Sequence, residues 1–133
     1  MREIKFRAKA GLRWCYGEFY HSERNEPVIY EPQSRGKTLE GIPYDGWRLK
    51  VDPETVGQYT GLKDADGREV YEGDILVNPN YVQDVRVIEW RDYQWSMVSH
   101  THPFQATVPM IWIGGYKVCG NVYDNPELLE RKP

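Results

Sequence analysis

The residues able to do chemistry are few and scattered along the chain. His100 and His102 flank Thr101, and a strand there would put both imidazoles on one face as a pair of metal ligands. Two ligands do not close a site, no HxxxH or CxxC supports them, and Pro103 points to a loop. Asp64-Ala65-Asp66-Gly67 has the flavour of a calcium loop. If Gly67 held the sixth loop position, however, the first ligand would be Leu62 and the twelfth Gly73, so the spacing describes a hairpin turn instead. Cys15 and Cys119 stand far apart, neither beside a His or a cationic cluster, and read as buried structural thiols. The chain contains no G-x-S-x-G, no G-x-G-x-x-G and no Walker-type run. No catalytic, metal or cofactor residue is assigned, and an enzyme is the least supported class.

Two features suit binding. Trp90, Tyr93 and Trp95 lie in or beside a turn at 91–94, with Arg86 and Arg91 close by, and aromatics next to arginine anchor protein partners or stack bases. Large side chains also fill small β cores, so Trp90 and Trp95 have a competing reading as core. The second feature is the basic run Lys5, Arg7 and Lys9 on one side of an alternating strand. Its plain reading is the solvated side of an edge strand, where charge blocks unwanted pairing.

The elements that must position these residues are short strands. Ile4, Phe6 and Ala8 alternate with Lys5, Arg7 and Lys9, a period of two, and Arg13–Tyr20 returns after Ala10-Gly11. Residues 21–46, with three prolines and three glycines, read as loops apart from a short strand at Val28-Ile29-Tyr30. Asp52-Pro53-Glu54 offers a cap, a first-turn proline and an acidic start to a single helical turn that Gly57 ends. Gln58–Leu62 and Glu69–Glu72 form a hairpin around Asp66-Gly67, then Gly73-Asp74 makes a corner. Glu72 and Asp74 are expected to bond loop amides there. Strands follow at Ile75–Val77, Val82–Trp90, Gln94–Ser99, Pro109–Ile113 (apolar on both faces) and Tyr116–Cys119. Asn125-Pro126-Glu127 caps a short terminal helix whose Leu128-Leu129 pair plugs one end of the sheet, with Arg131-Lys132 at its negative end. Frequent short strands with one helix fit a small barrel.

Composition agrees. Five Trp and ten Tyr among 133 residues favour half-buried pleated strands. The net charge is −3, and neither half has the basic excess that drives general phosphate binding. No apolar run reaches a membrane span and the start lacks a signal-peptide core, so a cytoplasmic protein with free thiols is expected.

Three stretches together resemble the YopX family of small phage and prophage proteins. They are MREIKFRA at the start, VDPETVGQYTGLKDADGREVYEGDI at 51–75, and CGNVYDNPELL at 119–129. The resemblance implies a mainly β fold, a small SH3-like or pseudo β-barrel with a short C-terminal capping helix, in a single domain over 1–133. Within it, 1–50 holds the N-terminal strands and loops, and 51–133 the barrel core and helix. It also implies a phage or prophage gene acting in bacterial cytoplasm, and it transfers no site residue. The first functional expectation is a non-enzymatic module that binds a host or phage protein. The alternative is a single-stranded nucleic-acid-binding barrel in phage replication or regulation, using Lys5, Arg7 and Lys9 with exposed aromatics, against which the net charge argues. No cofactor or membrane partner is expected, and a homo-oligomer fits either reading.

Overall fold

A computed structural model describes residues 4–37, 40–41, 43–99 and 107–130. The strands are β1 Phe6–Ala10, β2 Arg13–His21, β3 Pro27–Lys37, β4 Pro43–Lys50, β5 Gly57–Lys63 and β6 Glu69–Tyr71. They continue with β7 Asp74–Asn78, β8 Tyr81–Arg91, β9 Gln94–Ser99, β10 Thr107–Pro109 and β11 Lys117–Asn121. All pairings are antiparallel, in two sheets of order β4-β3-β2-β1-β5-β6 and β10-β9-β8-β7-β11. Neither sheet closes into a barrel among the described residues, so the expected SH3-like barrel gives way to open sheets. The chain divides inside β5 into two compact units, Met1–Gln58 and Tyr59–Pro133.

In the first unit, alternation sorts side chains onto two faces as the period-two pattern requires. Ala8, Cys15, Ile29 and Val51 form a buried cluster, flanked by Phe6, Phe19 and Leu49. The opposite face carries Arg7 and Lys9 across from Tyr16 and Trp14. β1 lies between β2 and β5, not at an edge, and Arg7 is only 6% exposed, so the edge-strand reading of the basic run is corrected. The expected loops at 21–46 are corrected too, because most of that stretch is the long hairpin of β3 and β4. Its prolines sit where a ladder tolerates them: Pro27 and Pro43 begin strands, and Pro32 falls where the register shifts between Glu31 and Arg35. Asp52 caps the single 3-10 turn Pro53–Thr55 as expected, accepting from the Glu54 amide at 3.0 Å.

In the second unit, the five-stranded sheet is buried on both faces. Leu76, Ile88 and Met97 face Val70, Met110, Ile113 and Tyr116, with Trp95 packed alongside. Ile75, Val85 and Val87 face the other way, against Val122, Leu128 and Leu129. Each fully buried Ile or Leu contributes about 1.5–3 kcal/mol. Of the strand expected at 109–113 only Pro109 lies in one, at the end of β10; the rest belongs to a 3-10 segment, Met110–Gly115. The terminal capping helix is likewise a five-residue 3-10 turn, Pro126–Glu130, although Leu128 and Leu129 do cover the sheet.

Candidate functional site

The residues that give 51–75 and 119–129 their regularity hold turns together. Asp64, 6% exposed, directly follows β5 and gathers three backbone amides. Its Oδ1 accepts from Asp66 and Arg68, and its Oδ2 from Val118 on β11, each at 2.9 Å. Burial pushes the Asp64 pKa up, but the three amides outweigh it and hold the carboxyl below its usual range. The amide of Ala65 donates to the Tyr116 carbonyl at 2.9 Å, a second tie across the same gap. The Thr60 hydroxyl donates to the Val70 carbonyl at 2.8 Å, and Asp74 accepts from the Tyr71 amide at 2.8 Å, as the corner reading requires. At the far end, Asn121 accepts from the amides of Tyr123 and Asp124, while Asn125 Oδ1 accepts from the Asn121 amide. Gly120 is required there: a Cβ would sit 2.5 Å from Asn125 Oδ1.

The β8–β9 hairpin places the aromatic candidates. Its register pairs Arg91 with Gln94 and Trp90 with Trp95, leaving Asp92-Tyr93 as a two-residue turn. The two indoles meet edge to face, with centroids 5.0 Å apart at 76°. Trp95 leans on the core whereas Trp90 is 51% exposed, so the core reading holds for Trp95 and is corrected for Trp90. Asp92 and Tyr93 have φ of 52° and 63°, the left-handed pair that such a turn needs, and Tyr93 is 94% exposed. Arg91 Nε donates to Glu89 at 2.9 Å, an exposed pair of small energetic weight.

Arg86 does not join that tip. It is 8% exposed, and its Nε donates to Asp84 Oδ1 at 2.6 Å. The Tyr116 hydroxyl donates to the other Asp84 oxygen at 2.6 Å, and burial followed by that carboxylate raises the Tyr116 pKa. Arg86 is therefore a structural cation, and its candidacy as a binding residue is corrected.

Neither thiol is in a disulfide; Cys15 is buried and Cys119 exposed, with its Sγ donating to the Ile75 carbonyl at 3.4 Å, which corrects the buried reading for Cys119. Cys15 lies beside Glu31, whose Oε1 accepts from Arg13 at 2.7 Å and whose Oε2 accepts from the Tyr16 amide at 3.0 Å. His100-Thr101-His102, Arg131 and Lys132 fall outside the described residues. Among the described residues no group of three or more His, Cys, Asp or Glu could hold a metal, and no helix is long and apolar enough to cross a membrane.

Antiparallel sheets, turns capped by side chains and a hairpin with an aromatic tip define a small mainly β protein. The chain belongs to the YopX family, whose profile, described as YopX protein, matches residues 5–130. Among solved structures it is similar to protein EF1440 from Enterococcus faecalis, at 25% identity and a TM-score of 0.55, over 97% of this chain and 99% of that one. A search of curated proteins finds no match.

Proposed function

We propose that the protein is a non-enzymatic interaction module that binds a host or phage protein through the β8–β9 tip, in the bacterial cytoplasm that the family resemblance implies. Tyr93 carries this reading. A two-residue turn with both φ values positive favours Asn and Gly, because other side chains crowd the backbone there. An aromatic ring almost wholly in solvent at that position breaks the local rule and makes no core contact in return. A residue kept against the preference of its own backbone is best explained by an external contact. Trp90, half-exposed on the strand that leads into the turn, supplies the second anchor of the kind found at the centre of protein interfaces.

The test couples stability to capture. Tyr93→Gly relieves the backbone and stabilises the fold by about 0.5–1 kcal/mol. The same variant, and Trp90→Ala, lose a partner that the wild type pulls down reproducibly from host lysate. Recovery of that partner by Tyr93→Gly, or no reproducible partner at all, refutes the reading. Light scattering decides whether that partner is a second copy of the chain.

A further inference from the structure

We propose that the first unit carries a separate site for single-stranded nucleic acid, on the sheet face opposite its hydrophobic cluster. Strand register puts Lys9 beside Trp14, Tyr30 beside Arg48, and Val28 between Tyr20 and Lys50, all on that face. The cations lie on the rings: Arg7 is 4.7 Å and Lys9 5.8 Å from the Trp14 ring, and Arg48 is 4.8 Å from the Tyr30 ring. Tyr30 is pressed onto β4 where Gly46 leaves room, since a Cβ there would fall 2.3 Å from Cε2 of the ring. Gly46 also has φ of 96°, a conformation that favours glycine. Rings and cations thus alternate across the strands, with Trp14 and Tyr30 each within cation–π reach of an arginine.

Charge runs against the chain as a whole. The protein is net −3, yet strand register gathers Arg7, Lys9, Arg48 and Lys50 on this face with Glu18, and Lys50 pairs with Glu26 at 2.5 Å. Tyr20, Arg48 and Lys50 are exposed, which leaves the β3–β4 end of the face open. Successive bases stack on rings and guanidinium planes without regard to sequence, while Lys and Arg neutralise the phosphates between them. An acidic peptide would match the cations but has no planar groups to lay against the rings. The site uses residues of β2, β3 and β4 that the basic run at 5–9 does not include.

The experiment is fluorescence anisotropy of the full chain with a fluorescein-labelled dT12 oligonucleotide at 50 and 200 mM salt. If three phosphates are neutralised, the wild type binds and weakens about twentyfold between the two salts, from a slope of about −0.7 per phosphate. Arg48→Glu and Tyr20→Ala, both at exposed positions, each weaken binding about tenfold at low salt while remaining folded, with a cooperative melt. Lys63→Glu makes the same charge change at the exposed end of β5 and leaves binding unaltered. Three results overturn the proposal: no anisotropy change at about 100 µM protein in low salt, an equal loss in Lys63→Glu, or competition by polyglutamate as effective as by unlabelled dT12.

Discussion

Replacing Asp64 by Asn removes one negative charge and leaves nearly the same shape, which makes it a sharp test of what holds the second unit together. The Asn oxygen can keep the amides of Asp66 and Arg68, both now on Oδ1. The Asn amide nitrogen then faces the Val118 amide, donor against donor, where Oδ2 had accepted at 2.9 Å. A hydrogen bond to a charged group contributes about 1.5–3 kcal/mol, so Asp64→Asn should cost about 2–3 kcal/mol at pH 7. Asp64→Ala, which strands all three amides, should cost about 3–5 kcal/mol. The pH dependence has a definite sign. The folded carboxyl titrates below its unfolded counterpart, so its contribution is complete above about pH 4 and is lost as pH falls through the folded value. Guanidinium unfolding at pH 7 and pH 2 should therefore show the gap between wild type and Asp64→Asn shrinking in acid. Hydrogen exchange should show the Val118 amide losing protection in the variant at pH 7. A variant within about 0.5 kcal/mol of wild type at pH 7, or a gap that persists unchanged in acid, would contradict the account of this carboxylate.

Two further outcomes follow from the same geometry. Gly120→Ala drives a Cβ into Asn125 Oδ1 and should cost about 1–3 kcal/mol in thermal melts. The double variant with Asn125→Ala should cost less than the sum of the singles, and simple additivity would show that the two side chains do not compete. Titration with Ellman's reagent should release one equivalent quickly from native protein, mapped to Cys119, and the second only after unfolding. Cys15 is shielded, and burial followed by the Glu31 carboxylate raises its pKa; equal native rates for the two thiols would contradict this.

The sequence revealed local chemistry better than long-range placement. Asp66-Gly67 and Asp52-Pro53-Glu54 announced their turns because turn and cap preferences act within a few residues. The β3–β4 hairpin was hidden because Pro27, Pro32, Gly36 and Gly46 mimic loop composition, although each proline occupies a strand start or a register shift. Met110–Ile113 misled in the opposite sense, since a short apolar run does not distinguish a buried strand from a tight helical segment. The terminal segment had correct cap residues but too few positions to pass beyond a 3-10 turn. Arg7 and Arg86 looked like surface cations because burial depends on neighbours in the sheet: β1 lies inside its sheet, and Asp84 shares the face of Arg86 two residues away. Tyr20, Tyr30 and Arg48 were missed as a surface because only strand register brings them together. Tyr93 was legible as an aromatic at a turn, and its two-residue turn adds that it is a bulky residue where Gly or Asn is expected.

The bond from Asp64 to Val118 spans 54 residues, and it has a consequence for synthesis on the ribosome. β1 to β4 form by successive neighbouring hairpins and can assemble while the rest of the chain is still being made. The turn at 64–68 has no such option, because the amide that completes it belongs to the eleventh strand. Until Val118 emerges, Asp64 has lost one of its three donors and β7 has an open edge where β11 will pair. That nascent edge is the interval in which a chaperone, or a neighbouring chain, has its opportunity to intervene.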